Sequence, residues 1–371
     1  MRIAVIATVW FPFSHADVIV TRWIQPFPTD AKNGWQGSDS TIASVFLEQT
    51  PANDIGRQIC ATHRIPITET IREALTLGRK KLAIEAVLLI GEHGDYPSNE
   101  FGQKLYPRKQ MFEAITAVFR ETGQTAPVFN DKHLSWDFEH SAEMIATARE
   151  LDFPLYAGTS LTHCPYDPGM PLSPGESVSE VLALFFEDPE HYGFHSLEFV
   201  QSLIERRPGG ETGIESLRYL DNQAVRDTLA SGEIPHDLLL STLVRLGYPD
   251  ERDTISFVLS RAEDLVGYQL KYRDGLQVTH LRIPKVVSNW VAAVRTTQGN
   301  IRSCKVSSGG MTEFFSNFAY LNARVDEFFH SHQPANPVLR THLVAGALQL
   351  ALQAQKQSGQ WIKTPSLAVA Y

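Results

Sequence analysis

The residues able to do chemistry cluster just beyond short apolar runs. Four of the thirteen histidines, His15, His93, His133 and His163, stand in such places. Glu92, Asp95, Asp131 and Lys132 share the same segments, Gly91-Glu-His-Gly-Asp-Tyr96 and Asn130-Asp-Lys-His133. Imidazole, carboxylate and amine are the groups of general acid–base catalysis. Imidazole with carboxylate is also a ligand set for zinc, manganese or iron, although no tight H-x-x-x-H spacing accompanies it here. Taken singly, each histidine reads as a loop or capping residue. Taken together they would be costly to bury without a use. On this reading Glu92, Tyr96, Asp131 and His163 are candidate substrate contacts, and His93, Asp95 and His133 a candidate metal set.

The elements that must position these groups follow from apolar periodicity. Arg2–Val9, Ala43–Leu47, Ala86–Ile90, Pro127–Asn130 and Pro154–Gly158 read as buried strands. Helical spacing fills the intervals at Ala16–Ile24, Asp54–His63, Ile71–Leu77, Lys109–Thr122 and Ser135–Leu151. Strands alternating with helices predict βαβ units and a doubly wound parallel sheet. In such sheets ligands bind beyond the carboxyl ends of the strands, which is where the polar clusters fall. Residues 25–40 form a long loop for a βα unit. After Gly158 the pattern changes. A Pro/Gly-rich connector over 159–175 leads to a helix at Phe194–Glu205 and then to extended runs at Ile255–Leu259, Leu265–Tyr272, Leu276–Ile283, Val291–Thr297 and Ile301–Val306. Asp274-Gly275 is a hairpin signal. A terminal helix spans Val338–Gln353. The expected division is a Rossmann-like domain over 1–158 and an α+β domain with an open, mainly antiparallel sheet over 159–371, with helix 338–353 packing back on the first.

Composition excludes several classes. The 371 residues carry 33 Lys and Arg against 42 Asp and Glu, a formal charge of −9. An acidic surface argues against nucleic acid and anionic membranes as partners. Three isolated cysteines encode neither a disulfide framework nor a zinc site. The N-terminal run lacks the signature of a signal peptide, and no apolar stretch is long enough to span a membrane. The expectation is a soluble, cytoplasmic protein.

Three segments, in order and at characteristic spacing, resemble the glucose–fructose oxidoreductase / inositol dehydrogenase (Gfo/Idh/MocA) family. Asn130-Asp-Lys-His133, a helix, and Phe153-Pro-Leu-Tyr-Ala-Gly158 look like the family's E-K-P segment and following strand. His191-Tyr-Gly-Phe-His195 resembles its D-x-G-x-H motif. Asn336-Pro-Val-Leu-Arg-Thr and the helix after it resemble its terminal helix. The resemblance implies Lys132 and His195 as the proton-transfer pair, with His191 beside them. It also implies NAD(P) as cofactor, a sugar- or cyclitol-like substrate, and a homodimer or homotetramer. His15 and Glu48 stand at the family's cofactor-binding positions.

The departures are as specific. The glycines of the family's G-x-G-x-x-G turn are replaced by Ala7, Val9 and Pro12. Glycine lets the backbone approach a pyrophosphate, whereas proline removes a donor. Weak or absent NAD(P) binding is expected. Three readings stay open: a dehydrogenase of a polyhydroxylated substrate; a non-redox, metal-dependent lyase, hydrolase or isomerase on the same scaffold; and an inactive ligand-binding relative.

Overall fold

The first eight residues pass straight into the centre of a sheet. In β1 (Arg2–Ala7) residues 3–7 are all buried, because the strand is covered on both faces. Ile3, Val5 and Ala7 enter one core, and Ala4 and Ile6 the other. The structure, a computed structural model, describes residues 1–251 and 253–371.

Five further strands join β1: β2 (Thr41–Leu47), β3 (Ile67–Thr68), β4 (Ala86–Ile90), β5 (Val128–Asp131) and β6 (Leu155–Gly158). All pair in parallel, in the order β3-β2-β1-β4-β5-β6. The strand order reverses between β1 and β4, which makes their carboxyl ends the topological switch point. The helical segments are α1 (residues 15–24, with a π-helical stretch at Asp17–Thr21), α2 (Gly56–His63), α3 (Ile71–Thr76), α4 (Arg108–Thr122) and α5 (Phe138–Glu150). The 25–40 loop is held by a buried Arg22–Asp30 ion pair at 2.9 Å and by Trp35 against Trp23.

The chain forms two units, and the division is not the single cut expected from the sequence. Residues 1–99, 104–163 and 308–342 make the first; 100–103, 164–307 and 343–371 make the second. The segment 308–342 therefore returns to the first unit. It carries α10 (Asn317–Ser331), whose Phe318, Leu321, Val325, Phe328 and Phe329 close one face of the parallel sheet.

The second unit holds β7 (Val178–Phe185), α6 (His191–Ile204), β8 (Ile214–Leu220), α7 (Asn222–Ala230), α8 (His236–Arg245), α9 (Thr254–Arg261), β9 (Val266–Tyr272), β10 (Gln277–Arg282), β11 (Trp290–Thr296), β12 (Ile301–Val306) and β13 (Ile362–Lys363). Its sheet runs β12-β11-β7-β10-β9-β8-β13 and is antiparallel except where β7 meets β10. The Asp274-Gly275 turn joins β9 to β10, with Gly275 at φ 91°. One expectation is corrected here. Ile255–Leu259 is helical, because Ile255, Val258 and Leu259 meet the core at helical spacing while Phe257 points to solvent. Helix α11 (Val338–Gln353) starts in the first unit, where Val338 and Leu339 pack. No helix among the described residues is long and apolar enough to cross a membrane.

Candidate functional site

The parallel register pairs Ala7 with Ile90 and Leu89 with Asn130. The turns after β1, β4 and β5 are therefore neighbours at the switch point. Asp131 closes β5 and is buried. The Asn130 amide donates to the carbonyls of Asp131 (2.8 Å) and His133 (2.6 Å), bracing a turn in which His133 takes φ 45°. A buried carboxylate needs a partner. Asp131 finds it in His15 at the start of α1, with Oδ2 2.5 Å from Nδ1. The His15 ring lies edge-on to His93 (5.2 Å) and Phe318 (5.0 Å), and its side chain keeps 13 % exposure.

A second ionic group sits alongside. Glu92, buried after β4, accepts from the Arg108 guanidinium, and its Oε1 lies 3.4 Å from Lys132 Nζ. Thr8 Oγ1 donates to the Glu92 carbonyl at 2.7 Å and ties the β1 turn to the β4 turn. Burial alone would raise the Glu92 carboxyl. Lys132 and Arg108, helped by His15 and His93, outweigh that and hold it well below the usual carboxylate range. His93 takes φ 66° and leans on Phe11 at 5.5 Å. Burial and the His15 imidazole lower it to about 4, so it is neutral at pH 7.

The turn after β1 fails as a pyrophosphate cradle. Pro12 has no N–H. The Phe11 N–H donates to Ser14 Oγ (3.1 Å) and the Phe13 N–H to the Asp17 carboxylate (2.8 Å). Asp17 N–H also reaches Ser14 Oγ, at 3.3 Å. Asp17, itself buried, puts the chain's own carboxylate where a bound anion would gain from these donors. The long loop supplies no substitute from Arg22, which is spent on Asp30, Val18 and Phe314. At the end of β2, Glu48 accepts the Tyr96 hydroxyl; burial and this bond raise the phenol's pKa. These residues do not fit the dinucleotide at its usual place.

Other expected site residues part company. His93, Asp95 and His133 do not form a ligand set: among the described residues one trio has potential ligand atoms within 4.8 Å, namely Asp188, Glu190 and His191. The reason is local. His93 faces His15 and Phe11, His133 is buried in the braced β5 turn, and Asp95 is exposed with its backbone bonded to Gln49. His163 Nε2 is 2.7 Å from the Tyr156 hydroxyl, and burial, with Arg340 and Arg324, lowers it to about 3. That histidine is a neutral structural group. His195 lies on α6 in the second unit, its ring 5.4 Å from Trp290, and His191 Nδ1 lies 2.9 Å from Asp188. In the sequence His15 and Asp131 stand at separate strand ends with nothing that pairs them. Nothing in the local spacing marks a contact between residues 116 positions apart.

No protein-family model matches the chain, and no curated protein matches it. Solved structures do. A scyllo-inositol dehydrogenase from Lactobacillus casei, with bound NAD(H) and scyllo-inositol, is similar at TM-score 0.61 and 8 % identity, covering 98 % of each chain. A putative myo-inositol dehydrogenase from Sinorhizobium meliloti is similar at TM-score 0.56 and 12 % identity, covering 98 % of this chain and 99 % of that one. A probable dehydrogenase from Thermotoga maritima follows at 0.57 and 11 %, covering 99 % and 100 %. At these identities the likeness is one of fold, and it extends over 98–99 % of this chain.

Proposed function

We propose that the protein is an enzyme that moves a proton on a hydroxyl- or carbonyl-bearing small polyhydroxylated substrate, using the scaffold of sugar and inositol dehydrogenases. The observation that carries this is the His15–Asp131 pair beside Lys132. With Nδ1–H donated to a carboxylate, Nε2 is the nitrogen that exchanges a proton, and Asp131 stabilises the imidazolium that results. Lys132 is the cation that polarises the reacting oxygen, kept in position by Glu92. The scaffold supports a dehydrogenase, and His195 remains the base implied by the family resemblance.

One observation favours a second reading. The N–H groups of the β1 turn are bonded to Ser14 and Asp17, which leaves a nucleotide poorly served there. Proton chemistry without hydride would then suffice. His15 takes the proton from the carbon beside a carbonyl while Lys132 hydrogen-bonds the oxygen. Return of that proton to the former carbonyl carbon, with the hydroxyl proton passing from one oxygen of the enediol to the other, gives the isomer with no net oxidation. A panel of polyols, aldoses and ketoses incubated with the protein and followed by proton NMR, with and without NAD+ or NADP+, tests both readings. Turnover that needs a nucleotide selects the dehydrogenase. Nucleotide-independent turnover, or deuterium uptake from D2O, selects the isomerase-type reaction. Turnover that survives in His15→Ala and Asp131→Asn sinks the assignment of this pair.

A further inference from the structure

A cavity of about 420 Å3 opens in the first unit among the ends of β1, β2 and β4. Its wall includes Phe11, Gln49, Asn53, His93, Asp95 and Tyr106. One half-buried aromatic ring, Phe11, and a set of amide, imidazole and carboxylate groups line a space suited to one small ring system. The wall is prearranged. Gln49 Oε1 accepts from Asp95 N at 2.9 Å, and Gln49 Nε2 reaches the Asp95 carbonyl at 3.3 Å, clamping the β2 turn to the β4 turn. Its charge is one-sided. Asp95 supplies a carboxylate, His93 is uncharged at pH 7, and no lysine or arginine lines the space.

We propose that this cavity binds an uncharged, hydroxyl-bearing ring molecule and rejects the phosphorylated form of the same molecule. A phosphate would leave water to sit near Asp95 with no cation to offset the loss. The Phe11 N–H is already held by Ser14. A neutral ring meets none of these penalties. It can stack on Phe11 and exchange hydrogen bonds with Asn53 and His93. The inference rests on the proposed function in one respect: His93 belongs both to this wall and to the surroundings of His15.

Binding is measurable without turnover, which separates the two ideas. Calorimetry on the full chain would compare adenosine with AMP, and myo-inositol with its monophosphate. The expected result is that the neutral member of at least one pair binds and its phosphorylated partner binds at least about tenfold more weakly. Asn53→Trp, at an exposed position of the wall, should abolish that binding while the circular dichroism stays unchanged. Asp95→Lys leaves the backbone bonds to Gln49 intact and should strengthen binding of the phosphorylated partner by about tenfold. Equal or tighter binding of the phosphorylated partner to the wild type overturns the proposal. So does the absence of binding by either neutral probe at about 10 mM, or binding that is indifferent to Asn53→Trp. Turnover that survives in His15→Ala would overturn the proposed function and leave this cavity's selectivity standing.

Discussion

Two parts of one sheet edge have gone opposite ways. After β1, Pro12, Ser14 and Asp17 turn the chain's own groups inward, so the turn bonds to itself and offers little to an anion. After β4 and β5, Glu92, Lys132, Asp131 and His133 are gathered and buried, at a desolvation cost that only pairing offsets. The first region has the architecture of a helix cap, and the second is the one we propose as the reaction site. On that proposal, the difference teaches that a dinucleotide fold is separable into a phosphate-holding turn and a proton-handling turn, and that the two can diverge independently.

The largest effect should come from the proton-handling side. His15→Ala and Asp131→Asn should each lower turnover by about 10²–10⁴-fold, the usual scale for a general acid or base. Their combined loss should fall well short of the product, because the two act as one unit. Lys132→Ala belongs in the same range. Steady-state kinetics on the substrate found by NMR check all three. Retention of most turnover in either member of the pair breaks the comparison at its root.

Stability distinguishes the regions next. Glu92 is buried between Arg108 and Lys132. Glu92→Gln leaves two buried cations short of their counter-charge, and a loss of about 3–5 kcal/mol is expected in denaturant unfolding. A loss under about 1 kcal/mol, the scale of an exposed pair, would mean that the triad is far better solvated than its burial indicates.

Much of this was legible in the residues, and the limits have physical causes. The five parallel strands were readable because a strand covered on both faces is a continuous apolar run, as Ala86–Ile90 is. The two-residue β3 has no period to read. Ile255–Leu259 reads as a strand from sequence because five apolar-rich residues suit either period until a core is specified. The return of α10 to the first unit is a long-range event without a local signal. In the candidate site, residue types pointed to turns that the sheet does bring together, since ionisable groups at strand ends are costly to leave unpaired. Partners were not readable. His93 and Asp95 are two residues apart, yet one faces His15 and the other solvent, and that divergence removed the expected metal set.

The pH dependence of stability sharpens the contrast, because His93 belongs to the β4 turn. Its pKa falls from 6.5 to about 4 on folding, chiefly through burial. A histidine depressed in the folded state contributes its full stability above pH 6.5. As pH drops below 6.5 the unfolded chain takes up a proton that the folded chain refuses, so stability falls toward pH 4. The slope attributable to His93 approaches about 1.4 kcal/mol per pH unit. His163 and His280, both lowered to about 3, add to it. His93→Asn keeps a residue type that tolerates positive φ and should flatten the slope by that share. An unchanged profile would place His93 in water.

The smallest expected effect tests the other region. Ser14 Oγ accepts from Phe11 N at 3.1 Å and Asp17 N at 3.3 Å, and the Asp17 carboxylate accepts from Phe13 N and from Thr21 Oγ1 at 2.7 Å. This is the work of an N-cap, and replacing a capping serine by alanine costs about 1 kcal/mol. Ser14→Ala should therefore lower unfolding free energy by about that much and leave turnover within about twofold, since no bond of Ser14 reaches Asp131, Glu92 or Lys132. Denaturant unfolding and steady-state kinetics on the same preparation measure both. A tenfold loss of turnover at unchanged stability would put the β1 turn inside the reaction site. The two regions would then be one, and the self-bonded turn would have to be read as part of the substrate's own binding surface.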